Sequence, residues 1–134
     1  MGMRSDWRAR LGGYLAGEAR RPFEYGISDC ALFAAGALNA MTGSDPSADY
    51  RGRYTSLRGG LRILRKDGFR DHVERAATLL AEVSPQRAQV GDIAVVDTVD
   101  GPSLGVVQGE WIAVRTMNGL GFVPIDQATR VFRS

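Results

Sequence analysis

The single cysteine of the chain, Cys30, is the residue whose type and setting could do chemistry. It follows a glycine-bearing turn, 25-YGISD-29, and opens the apolar run 30-CALFAAGAL-38. A thiol attacks as the thiolate, and a helix N-terminus lowers the thiol pKa because its unpaired N–H groups favour negative charge. Ser28 or Asp29 could cap such a helix. A carboxylate beside the sulfur, however, opposes thiolate formation unless it points away.

Two interpretations of Cys30 follow from this setting. It is either an activated nucleophile or a small, inert thiol on a core helix, and a cysteine on an apolar helix is more often the second. A cysteine nucleophile also needs an imidazole within hydrogen-bond reach. The chain has one histidine, His72, which we expect in the first turn of a helix beside Asp71. Asp71 could orient this imidazole, but the simpler expectation is a surface residue at a helix start.

Three carboxylates near one predicted strand, Asp92, Asp97 and Asp100, form another possible site. No histidine or cysteine joins them at the spacing of metal ligands, so we interpret them as strand-start and turn residues. A pairing of Asp97 with Asp100 as acid and base would need a glycan cleft with an aromatic platform, which the sequence does not offer. Gly59 and Gly60 lack the strand and the lysine of a phosphate loop. The sequence therefore predicts neither a metal nor a cofactor.

The composition fits one globular domain over residues 1–134, with 44% hydrophobic and 24% charged residues. The formal net charge is only +2, so we expect the arginine-rich run 51-RGRYTSLRGGLRILRK-66 to be a solvated face and not a nucleic-acid site. One cysteine cannot form an internal disulfide. The first residues do not resemble a signal peptide, and no apolar run is long enough for a membrane span. We therefore expect synthesis in a cytoplasm.

Hydrophobic periodicity divides the chain into a helical half, about residues 4–82, and a strand-rich half, about residues 91–133. Asp6 is expected to cap the first helix, and Gly43 to end the second. The expected helices are 6–19, 29–42, 56–67 and 71–82, and the expected strands are 91–98, 104–108, 111–116, 121–125 and 129–133. Helices first and strands later predict an α+β fold, with the helical half packed on a small antiparallel sheet.

Several of these segments together carry a resemblance to a known family. They are Pro22-Phe23-x-Tyr25-Gly26 … Asp29-Cys30 before an apolar helix, Gly91-Asp92 before a strand, and a following Leu-Gly-Val-Val strand. The pattern, which covers about residues 20–124, resembles the NlpC-type peptidases. These are papain-like cysteine hydrolases that cut peptides of bacterial cell walls, and the likeness is closest to small phage-encoded members found near tail genes.

The resemblance implies a papain-like fold of the NlpC type and a role for each matching residue. Cys30 matches the nucleophile, and its backbone N–H would contribute to an oxyanion hole. Tyr25 and Asp29 would support the site, and Gly91 and Asp92 match the turn that starts the first long strand.

The sequence departs from the family where the catalytic base should be. In the family, a histidine stands two residues before the glycine of the next strand. In this chain, that position is Ser103, in 102-PSLGVV-107. A serine hydroxyl does not take up a proton near neutral pH. The third, orienting residue of the family has no convincing match in the following strand, WIAV.

With the base missing, the resemblance implies mainly a structural or assembly role at a phage tail tip, in the virion, with other tail proteins as partners. One alternative is an active hydrolase that cuts peptidoglycan stem peptides and aids DNA entry. Another is a peptide-binding module that does not cut. The segment 50-YRGRYTSLR-58 is the expected contact surface because tyrosine and arginine are enriched in interfaces. An exposed loop explains it equally well.

Overall fold

Four α-helices occupy the first part of the chain in the computed structural model, which describes residues 2–134. They are α1 (Trp7–Arg20), α2 (Cys30–Thr42), α3 (Leu57–Lys66) and α4 (His72–Leu79). Each lies within two or three residues of a helix expected from the periodicity. Short 3₁₀ turns follow at Pro85–Arg87 and Ile125–Gln127.

Side-chain caps fix where three of these helices begin. Asp29 accepts a hydrogen bond from the Leu32 N–H at 2.9 Å, Ser56 does the same for α3, and Asp71 for α4. Gly43 ends α2 with φ at 85°, as expected for a left-handed cap. The expected cap at Asp6 is wrong, because its backbone is not extended (φ −103°, ψ 25°) and its carboxylate binds Arg10 at 2.9 Å instead.

One antiparallel sheet of six strands forms the second layer, so the expected α+β class is confirmed. The strands lie in the order β1-β6-β2-β3-β4-β5. Their bounds are β1 (Ala81–Val83), β2 (Ile93–Thr98), β3 (Gly101–Val107), β4 (Trp111–Thr116), β5 (Gly119–Pro124) and β6 (Arg130–Arg133).

The sheet contains one strand that the periodicity did not predict. The fourth helix was expected to reach residue 82, but it ends at Leu79, and Leu80 is already extended. Ala81–Val83 then pairs with β6, with Ala81 opposite Arg133. The partner strand lies about 50 residues away in the sequence, so local pattern could not indicate this pairing. Strand β3 also begins at Gly101, three residues before its expected start, and β5 begins at Gly119, two residues before its expected start.

Helices α1 and α2 pack on one face of the sheet and form the main core. Gly91, at the start of β2, has φ of +91°, and a Cβ there would lie 2.9 Å from the Trp7 ring. Only glycine allows this close approach of the strand start to α1. No helix within residues 2–134 has the length and apolarity needed to cross a bilayer.

Candidate functional site

A groove of about 560 Å³ runs between the start of α2, the helices α3 and α4, and the hairpin that joins β2 to β3. Five residues singled out in the sequence line it together: Tyr25, Asp29, Cys30, His72 and Ser103. Apolar side chains of all these elements form most of its floor. The groove therefore brings several possible chemical groups to an opening large enough for a ligand.

Cys30 is the first residue of α2 and is half-buried. Its thiol donates a hydrogen bond to the backbone carbonyl of Arg115 at 3.3 Å. Burial raises the pKa of the Cys30 thiol, and the neighbouring Asp29 carboxylate raises it further. Hydrogen bonds from the backbone and from Ser103 oppose this rise but do not outweigh it. The thiol consequently stays protonated at neutral pH, in spite of its position at a helix N-terminus.

Ser103 lies beside this thiol. It is buried in β3, directly opposite Val96 of β2, and its hydroxyl is close enough to the sulfur to favour the thiolate. A hydroxyl can donate a hydrogen bond to sulfur, but it has no basic nitrogen to accept the thiol proton. The structure thus brings Cys30 and Ser103 together without providing a base at this point.

Asp29 serves as an anchor at the start of α2. One carboxylate oxygen accepts from the Leu32 N–H, and the other accepts from the Gly26 N–H at 2.8 Å and from the Tyr54 hydroxyl at 2.5 Å. Burial and this bond raise the pKa of Tyr54, which therefore remains a donor. Asp29 joins the turn before α2, the helix itself and the loop before α3. Sequence reasoning missed Tyr54 because it lies 25 residues away.

His72 is the first residue of α4 and lines the groove, but it does not bond to Cys30. Its Nε2 is buried and has no hydrogen-bond partner within residues 2–134. His72 as a whole is partly exposed, so the expectation of a residue at the surface of a helix start holds in part, but its Nε2 is buried. Burial lowers the pKa of His72 more than Asp71 and Asp29 raise it, so the imidazole is neutral at neutral pH.

The sequence patterns also did not indicate a buried ion pair between Arg115 and Glu18. The Arg115 guanidinium donates to the carbonyls of Glu18 and Arg21, both at 2.6 Å, at the C-terminal end of α1. The Glu18 carboxylate lies 3.6 Å from the Arg115 guanidinium and accepts from Ser28 at 2.9 Å. A cation here complements the negative end of the helix dipole. The network fixes the β4 backbone whose carbonyl accepts the Cys30 thiol.

Tyr25 lines the groove near both Cys30 and Asp100. Its ring packs edge-to-face against Phe23, with the centroids 4.9 Å apart. Burial raises the pKa of Tyr25, and Cys30 and Asp100 raise it further. Asp100 and Asp97, which were interpreted as turn and strand residues, both line the groove at this end.

Gly91 and Asp92 lie outside the lining of the groove. The Asp92 carboxylate is buried and accepts two hydrogen bonds from the Arg133 guanidinium, at 2.9 and 2.8 Å. It also accepts from the Gln89 N–H at 2.8 Å. The pair therefore ties the start of β2 to β6 and supports the sheet on which the groove is built.

The tyrosines of the expected contact segment, residues 50–58, face inward. Tyr50 is buried, donates to Asp67 at 2.6 Å and lies beneath the Arg75 guanidinium. Tyr54 is held by Asp29. The exposed residues of the segment include Leu57 and polar residues such as Arg53 and Arg58.

Within residues 2–134, no three histidine, cysteine or acidic side chains are grouped as metal ligands. An α+β chain with a cysteine-bearing groove is the class that these features define. The family described as "Domain of unknown function (DUF6950)" matches residues 3–134, and the chain belongs to that family. No curated protein matches the chain.

Proposed function

We propose that this chain is an NlpC-like protein of a phage tail, with a papain-like fold, whose cysteine site no longer cuts peptides. Its role is structural or in assembly, at the tail tip. The support is the motif around Cys30 together with the geometry in which it lies. The cysteine opens a core helix that packs on an antiparallel sheet, and Ser103 on that sheet lies beside the sulfur.

The observation that carries this proposal is the hydrogen bond of the Cys30 thiol to the Arg115 carbonyl. A nucleophilic cysteine directs its proton to a base, and a carbonyl oxygen is not one at neutral pH. Burial and Asp29 both stabilise the protonated thiol. The attacking species is therefore scarce, and within residues 2–134 the thiol hydrogen bond goes to a carbonyl and not to a base.

Purified peptidoglycan tests the proposal directly. The wild-type chain and Cys30→Ala are incubated with it, and released stem peptides are measured by mass spectrometry. We expect no release by either protein. Release by the wild type that is lost in Cys30→Ala would overturn the proposal and establish a cysteine hydrolase.

The tail location has its own test. Particles of the encoding phage are purified through a density gradient, and their proteins are identified by mass spectrometry. We expect the chain in tailed particles and in isolated tails. Its presence only in the lysate, with none in the particles, would overturn the assembly role while leaving the chemistry of the groove untouched.

An active cell-wall hydrolase is the second candidate, and the position of His72 favours it. This neutral imidazole lines the same groove as Cys30, and a neutral imidazole is the form that accepts a proton. His72→Gln in the peptidoglycan assay separates the two candidates. Activity that requires both Cys30 and His72 would establish this pair, which we do not expect.

A further inference from the structure

We propose that the groove docks an extended segment of a partner polypeptide that carries a large apolar side chain flanked by opposite charges, with His72 as the polar anchor. This inference deepens the proposed function and rests on it, because a docked segment must remain uncut. Three independent features of the groove point to such a ligand, and they concern its floor, its buried nitrogen and its walls.

The floor and rim of the groove are apolar and open. Leu61 and Leu64 of α3 line it, together with Leu57, Leu79 and Met117. The last three are among the most exposed large hydrophobic residues of the chain, at 49%, 48% and 68%. Apolar side chains left exposed around one concave site are typical of a surface that a partner covers. The volume of about 560 Å³ exceeds that of any single side chain, so the groove has room for main chain as well.

The buried nitrogen of His72 marks where a polar group of the ligand belongs. A buried polar atom without a hydrogen-bond partner destabilises a protein. Its Nε2 has none within residues 2–134. A neutral imidazole offers one donor and one acceptor, and a peptide group offers the matching N–H and C=O. A docked main chain would satisfy the nitrogen that the free protein leaves unpaired.

The walls of the groove carry opposite charges. Asp97 and Asp100 line the hairpin end, and neither forms an ion pair within residues 2–134. Arg65 and Arg70 line the helical side, where Arg70 reaches only the exposed Glu74 at 3.5 Å. A segment with a basic residue toward the hairpin and an acidic residue toward α3 would complement both walls. A purely apolar ligand would use neither.

Peptide titration followed by NMR tests this inference on the full chain. The probes are acetylated, amidated peptides with a central leucine, and a lysine and an aspartate placed at each combination of flanking positions. One control set replaces both charged residues with glutamine and asparagine, and another replaces the leucine with glycine. Because His72 is the only histidine, its imidazole ¹⁵N signals can be assigned unambiguously. We expect the Nε2 signal to shift on saturation, with the charged leucine peptides binding most tightly.

His72→Leu separates a ligand anchor from a structural residue. It removes an unpaired nitrogen and keeps an apolar side chain, so we expect a thermal midpoint equal to or above that of the wild type. Peptide affinity should nevertheless fall about tenfold. Asp97→Asn/Asp100→Asn should remove most of the advantage of charged over neutral peptides. Wild-type affinity in His72→Leu, or no saturable shift of His72 with any leucine peptide, would overturn the docking inference.

The same samples keep the two proposals distinct. Each peptide is recovered after incubation and its mass is measured. Intact, bound peptide supports both proposals. Cleavage that depends on Cys30 would overturn the proposal that peptidase activity is lost. An intact peptide that leaves the His72 Nε2 signal unshifted would overturn the docking inference alone.

Discussion

The two sides of the groove differ in how their buried polar groups are satisfied. The cysteine wall consists of Asp29, Cys30, Ser103 and Arg115. Its carboxylate accepts three hydrogen bonds, its thiol has a carbonyl partner, and its guanidinium donates two hydrogen bonds, although Arg115 Nε has no partner within residues 2–134. The histidine wall consists of His72 and the leucines of α3 and α4. Its buried Nε2 has no partner within residues 2–134, and two of its leucines are about half exposed.

This difference indicates that the cysteine wall contributes mainly to stability and the histidine wall mainly to ligand recognition. A wall whose groups are mostly paired with one another stabilises the fold and resists chemistry, because most of these groups would have to leave a partner before acting. A ligand that bonds to the unpaired nitrogen and covers the exposed apolar side chains of the other wall would bind favourably. We therefore expect substitutions in the cysteine wall to affect mainly folding, and substitutions in the histidine wall to affect mainly binding.

Arg115→Met should break the cysteine wall most severely. It removes both hydrogen bonds to the end of α1 and leaves the buried Glu18 carboxylate with the exposed Arg21 guanidinium, 3.5 Å away, and the Ser28 hydroxyl as its remaining partners within residues 2–134. We expect the free energy of unfolding to fall by about 3–5 kcal/mol, as measured by urea denaturation.

Arg130→Met is the matched control for this change. Arg130 forms an ion pair with Glu82 at 2.8 Å, but both side chains are about half exposed. The same substitution there should cost less than about 1 kcal/mol. Equal losses for the two variants would show that the buried network is not what stabilises the wall.

Asp29→Ala should have the next largest effect. It leaves the Gly26 N–H and the Tyr54 hydroxyl without their acceptor and removes the cap of α2. We expect a loss of about 2–4 kcal/mol. Ser56→Ala, which removes the exposed cap of α3, should cost only about 1 kcal/mol. A loss for Asp29→Ala no greater than that for Ser56→Ala would contradict its role as an anchor.

The sequence predicted the elements of the molecule better than the connections between them. Caps and periodicity are local, so the cap of α2 at Asp29, its end at Gly43 and the run of strands from β2 to β6 after Pro85 were all predictable. The pairing of Ala81–Val83 with β6 joins distant segments and left no local pattern. Propensity over residues 71–82 favoured a longer helix, and sheet pairing overrode it.

The candidate site divides in the same way. Cys30 was recognisable because a glycine-bearing turn before an apolar helix is a local motif. The bond of Tyr54 to Asp29 and that of Arg115 to the end of α1 join residues 25 and 97 positions apart. His72 was predicted at a helix start, but its burial depends on elements packed around it. No single-residue pattern predicts which side chains a fold leaves unpaired.

The reactivity of the Cys30 thiol tests the difference between the two walls through a smaller expected effect. Since burial and Asp29 raise the Cys30 pKa, the rate of alkylation by iodoacetamide should increase about tenfold per pH unit from pH 7 to 9, without a plateau. Cys30 is the only thiol in the chain, so mass spectrometry reports this site alone. A plateau at neutral pH would reveal a thiolate paired with a base, and the two walls would then act together.

Ser103→His sharpens this test by placing an imidazole beside the sulfur. It should lower the Cys30 pKa and speed alkylation at pH 7 about tenfold, whereas Ser103→Ala should slow it slightly.

The direction of the Cys30 pKa shift also determines how stability depends on pH. A pKa raised by folding contributes stability below the unfolded-state pKa, and this contribution is lost as pH rises through the folded-state pKa. The wild type should therefore lose slightly more stability than Cys30→Ala in alkaline solution. Identical pH profiles of unfolding for the two proteins would mean that the cysteine wall does not hold the thiol proton.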